Sequence, residues 1–185
     1  MKHPSNRDFF SHWDKARGTS LAPDRNAVNP EAVRHLLGDI FVLAYEPANG
    51  YPFRVAGTRI CARLGRDLKG ESFSALFSDE AHHEIEDLVG IVAEESLPTI
   101  IGLTAAASQG GIAHFELLLL PFSARAHTPM SLTGQICSFD EINGTVGQFG
   151  VTSWRHLHQD KRLFGPRTLR KLDIARGFTV YEGLR

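Results

Sequence analysis

The stretch FRVAGTRICARLGRDLKG, residues 53–70, gathers residue types from which several chemistries are built. Cys61 is a potential thiol nucleophile, and Arg54, Arg59, Arg63 and Arg66 could meet an anion. Gly57, Gly65 and Gly70 could shape a loop around it. Phosphate-cradling loops need closely spaced glycines or a G-K-[ST] ending. These glycines stand too far apart and no such ending follows, so they read as turn residues. The arginines then read as solvated or ion-paired side chains. The default for a free cysteine is burial as a small hydrophobe. Histidine offers metal chemistry: His82 and His83 are adjacent, and His114, His156 and His158 lie further on. At ~100° per residue His83 points away from the apolar side of its helix, and His82 sits at the edge. His156 and His158 have no cysteine or acidic company and make no zinc site. No nucleophile-elbow motif is present, so the expectation is a non-enzymatic chain, with an enzyme of unknown type as the weaker alternative.

Composition narrows the class. The chain has 185 residues, 42% of them hydrophobic and 22% charged, with a formal net charge of −1. That describes one globular domain with tails, carrying no global attraction for nucleic acid or anionic lipid. No apolar run approaches the roughly 20 residues of a membrane span, and the N-terminus has no secretory core. Two cysteines, Cys61 and Cys137, suit a reduced compartment. The expected location is cytoplasmic.

The elements that must position these residues follow from periodicity. Phe9, Phe10 and Trp13 form an aromatic stripe on a predicted helix over 6–17, with Ser5 and Asp8 at its start. Asn29-Pro30 predicts a second helix, lined by Val33, Leu36 and Leu37 and ended by Gly38. DIFVLAYE and YPFRVAG read as strands, the second with Tyr51, Phe53 and Val55 on one face. Thr58 would cap a short helix. The strongest helix runs from Asp79 to Ser96, with Ala81, Ile85, Leu88, Val89 and Val92 in one stripe. LPTIIGLTAA, IAHFELLLLPF and SLTGQICSFDEI follow as three strands. Leu117–Leu120 run without a break, which predicts cover on both faces of the middle one.

Two strands, a helical middle and three strands make an α+β, five-stranded antiparallel sheet with helices on one face. The aromatic N-terminal helix is the natural cover for the other. The expected divisions are a flanking helix over 1–20, a sheet domain over 21–145 and a basic, partly disordered tail over 146–185. Residues 155–185 carry eight Lys and Arg against three Asp and Glu. A short helix is expected near PRTLRKLDIARGF. The tail lacks aromatic platforms and a helix-turn-helix pattern, so nucleic acid is not an expected partner.

APDR (Ala22–Arg25), NPEAVRHLLGDIFVL, FRVAGTRICARLGRDLKG and FELLLLPF together resemble the single-PAS-domain family of alphaproteobacteria, long catalogued as a domain of unknown function. The resemblance covers roughly residues 14–145. It implies a PAS fold and a bacterial signalling or protein-interaction module, in which residues 53–70 are the hinge from strand two into the helical wall. It also implies where a ligand would sit: Phe53, Val55, Ile85, Leu88 and Val92 lining an apolar interior, with Thr58 or His82 near its mouth. No cofactor is required by this reading; haem or another small apolar ligand in the interior is the alternative. Photosensory relatives carry their reactive cysteine in Asn-Cys-Arg followed by Gln, whereas Cys61 lies between Ile60 and Ala62. PAS domains often pair through a flanking helix, which implies a homodimer with Phe9, Phe10 and Trp13 near its centre.

Overall fold

In a computed structural model of the chain, the stripe from Ala81 to Val92 lies on one long helix, α3 (Asp79–Glu94). The structure describes residues 1–123, 131–157, 169–175 and 178–183. All five stripe residues are buried, and Asp79 and Glu80 occupy the first turn, where the helix dipole favours acids.

The stripe packs on an antiparallel sheet of six strands, in the order β2-β1-β5-β4-β3-β6. They are β1 (Ile40–Ala44), β2 (Phe53–Ala56), β3 (Thr99–Ala107), β4 (Ile112–Pro121), β5 (Ser131–Ser138) and β6 (Val146–His156). Five strands were expected. The sixth lies in the segment read as tail, where it pairs with β3 along its length. Val146 and Phe149 are buried while most of its other residues are exposed. Two register shifts against β3 break its alternation, so it carries no clean period-2 signal. The short helix expected near PRTLRKLDIARGF is also corrected. β7 (Leu169–Ala175) pairs with β8 (Phe178–Gly183) as an antiparallel two-stranded sheet. Residues rich in Ile, Val, Tyr and Phe favour that pairing over an isolated helix. The expected disorder at 158–168, 176–177 and 184–185 lies outside the described residues.

Both faces of β4 are covered, as the Leu117–Leu120 run predicts. Leu117 and Leu119 join the cluster under α3. Leu118 and Leu120 lie on the other face with Phe9 and Trp13 of α1 (Pro4–Arg17). This first helix starts earlier than expected: Pro4 opens it and His3 caps it, its ring accepting the Ser5 amide at 3.2 Å.

The helix expected after Pro30 is instead a turn followed by a 3-10 helix over Arg34–Asp39. Leu36 is buried but Leu37 is 45% exposed. The cause is a close crossing with the hinge. Gly57 donates its amide to the Ile40 carbonyl at 2.9 Å. A Cβ on Gly57 would stand 2.2 Å from the Gly38 carbonyl oxygen. Arg59, on α2 (Thr58–Leu64), grips Asp39 through contacts of 2.7–3.0 Å and reaches the His35 carbonyl at 3.0 Å. Residues 53–70 thus act as a tight corner, with Gly65 (φ 69°) ending α2 in a left-handed conformation.

Because backbone opposes backbone at this corner, neither side can yield cheaply. Gly57→Ala should cost about 1–3 kcal/mol of stability through overpacking. Urea unfolding measures it, and an unchanged midpoint would refute the crossing.

Candidate functional site

The interior between sheet and helices is where a ligand was expected, and it is filled by aromatic rings. Phe41 contacts Phe53 and Phe73 at ring-centroid distances of 5.5 and 5.3 Å. Phe73 reaches Phe77 at 5.3 Å, Phe77 reaches Phe149 at 5.8 Å, and Phe149 reaches Phe115 at 5.2 Å. All six side chains are buried. Such edge-to-face and offset pairs add about 0.5–1.5 kcal/mol each beyond burial. Gly134 makes the room: a Cβ there would stand 2.2 Å from the Phe41 ring on the neighbouring strand.

Four of the seven residues expected to line a pocket meet in this interior. Phe53, Ile85, Leu88 and Val92 are each no more than 2% exposed and share one cluster. Val55 does not join them; it is 57% exposed. Val42 pairs with Val55 and Leu43 with Phe53, so Arg54 is an extra residue in the ladder. This bulge reverses the alternation and puts Val55 on the opposite face from Phe53. Thr58 is exposed at the first position of α2, and Gly57, not Thr58, occupies the cap position. His82 is half-exposed on α3, with its ring 3.3 Å from the Glu86 carboxylate and packed against His83. Its ring is engaged at the helix surface. Among the described residues no group of three or more His, Cys, Asp or Glu could hold a metal ion.

The other sheet face carries polar chemistry that residue patterns did not expose. Glu116, on β4, is buried to 5% exposure. Its carboxylate accepts the Lys2 amide at 2.6 Å, the His3 amide at 2.9 Å and the Asn6 side-chain amide at 3.2 Å. Asn6, fully buried, also donates to the Glu116 carbonyl at 3.0 Å and accepts from Cys137 Sγ at 3.5 Å. A lone acid inside the apolar run HFELLLL was the available signal. Burial, then the negative charges of Asp39 and Glu116, pushes the Cys137 thiol up to about 12. A thiol held that high makes little thiolate nucleophile.

This cluster fixes α1 to its own sheet. Trp13 donates its indole N–H to the Pro121 carbonyl at 2.8 Å. Trp13 and Phe9 are 0% and 2% exposed within the single chain. Only Phe10 keeps partial exposure, stacked on Trp13 at 5.8 Å. Phe9 and Trp13, expected near a dimer centre, are covered within the chain by its own β4.

A sheet backed on one face by a helical layer and on the other by an N-terminal helix defines an α+β module of the PAS type. The chain belongs to the PAS domain family, whose model matches residues 1–137 and so ends within β5. Among solved structures, it is similar to a light-oxygen-voltage domain studied with a flavin analogue. That match has 15% identity, a TM-score of 0.46, and covers 60% of this chain and 84% of that one. Similarity to a LOV protein of Rhodobacter sphaeroides stands at 11% identity and a TM-score of 0.43, covering 55% and 58%. A PAS domain from Colwellia psychrerythraea matches at 11% identity and a TM-score of 0.43, covering 60% and 98%. Comparison with curated proteins gave no match.

Removing the charge from the buried carboxylate should loosen α1 without unfolding the sheet. Glu116→Gln should cost about 1–3 kcal/mol and speed hydrogen exchange at the start of α1. Unaltered exchange there would refute the anchor. The thiols give a second check: iodoacetamide at pH 8 should label half-buried Cys61 and leave Cys137 intact. Equal labelling of the native protein would contradict the buried cluster.

Proposed function

We propose that the chain is a non-enzymatic regulatory PAS module that acts through contacts with partner proteins and does not require an interior cofactor. The observation that carries this reading is the filled interior. Six phenylalanines occupy the space between sheet and α3, and a planar cofactor could enter only by displacing several of them. Pockets that hold such groups are largely pre-formed, at about 300–1,000 Å³. His82, expected near the mouth of the interior, lies against Glu86 on the helix surface. A haem- or flavin-binding sensor is the competing reading within the same family.

Partners in a signalling pathway, and self-association, belong to this proposal. With Phe9 and Trp13 committed inside the chain, a homodimer would have to use residues left outside, such as Phe10. Among the described residues no helix is long and apolar enough to cross a membrane.

The visible spectrum of the purified full chain separates the two readings. It should show no Soret or flavin band, and adding haem or flavin mononucleotide should leave the thermal midpoint unchanged. A stoichiometric band would establish the cofactor reading instead. Light scattering at high micromolar concentration tests self-association, and a monomer there would remove the homodimer from the proposal.

A further inference from the structure

The outer sheet face is only partly covered by α1. Between the start of that helix and β6 lies an open groove of about 680 Å³, lined among others by Met1, Lys2, Ile100, Gly102, Phe139 and Arg155. Its floor is low because β3 places Gly102 there, opposite Ser153 of β6. Ile100 and the 47% exposed Phe139 give it apolar walls. None of the residues expected to bind a ligand lies here; this is the opposite side of the sheet from the phenylalanine-filled interior.

The charges of the groove are unevenly spent. Its acids are occupied: Glu116 by the amides of Lys2 and His3 and the side chain of Asn6, as described above. Asp140 accepts the His114 amide at 2.6 Å and lies 3.2 Å from the His114 ring. Those bonds, the backbone one first, lower the Asp140 pKa, so it stays ionised and engaged. The cations are not occupied: neither Arg155 nor the Lys2 side chain has an ion pair among the described residues. An apolar trough with engaged acids and unengaged cations at its rim complements an apolar body carrying one negative group.

We propose that this groove binds a small amphipathic carboxylate, its chain against Ile100 and Phe139 and its carboxylate on the Arg155 guanidinium. Arginine presents paired N–H groups that match a carboxylate, which makes it the specific contact, with Lys2 adding charge. The site is independent of the partner-protein reading, since binding can be measured on the isolated chain whatever it contacts.

Calorimetry with decanoate below its micellar concentration, on the full chain, tests the site. Saturable binding is expected, at least tenfold tighter than that of decanol or decylamine, with amide shifts at Gly102 and Ser153. Arg155→Gln should weaken decanoate at least fivefold and leave decanol unchanged. Ser153→Trp, an exposed position on β6, should block both ligands. Circular dichroism confirms that each variant is folded. Absence of saturable binding, equal affinity for decanol, or an affinity unaffected by either variant would overturn the proposal.

Discussion

A carboxylate buried in the middle of a leucine strand has to be compensated. On β4, Glu116 is compensated by the first residues of the chain. Desolvating an ion is expensive unless hydrogen bonds replace the lost water. Here the replacements are two backbone amides and an asparagine side chain. Those amides belong to the residues just before and at the helix cap, so satisfying the carboxylate also sets where α1 begins. Once the start is fixed, helical spacing brings Phe9 and Trp13 over Leu118 and Leu120. The outer layer is therefore placed by one charge and held by apolar area. The same layer contains a cost: Gln135 is fully buried, and neither atom of its side-chain amide has a hydrogen-bond partner among the described residues.

The two faces of the sheet divide the work. The α3 face is closed by aromatic packing and continues across β5 because Gly134 admits Phe41. The α1 face is closed at its centre and open towards β6. The sheet's edges differ as well. β2 is sheltered by residues 70–71, which exchange backbone hydrogen bonds with Phe53. β6 carries exposed Thr152, Ser153 and Trp154, the last donating to Glu84 of α3 at 2.8 Å.

Much of this architecture is legible in the residues, and the failures have physical causes. α3 is readable because sixteen residues give the apolar stripe time to repeat. The Leu117–Leu120 run correctly announces two covered faces. Aromatics on α1 announce burial but not against what, because a stripe cannot distinguish its own sheet from a second chain's. Val55 fails because one inserted residue inverts a period-2 pattern, and the insertion depends on pairing with β1. The helix after Pro30 fails because the Gly38–Gly57 approach is a long-range contact that local spacing does not encode. β6 escapes because its glycines and hydroxyl residues resemble a linker until β3 is beside them. Of the seven expected pocket residues, the four with large apolar side chains on α3 and at the start of β2 meet in the packed interior. The two polar ones lie on the surface, where nothing apolar opposes their solvation.

The anchoring of α1 also has a biosynthetic side. Asn6 and Glu116 are separated by 110 positions, and Trp13 meets Pro121 across 108. A growing chain emerges N-terminus first, at about 5–20 residues per second. Phe9, Phe10 and Trp13 must therefore wait several seconds for the strand that will cover them. During that interval α1 presents an uncovered aromatic stripe, the kind of surface that holding chaperones engage. The helix thus leaves the ribosome well before the strand on which it finds its place.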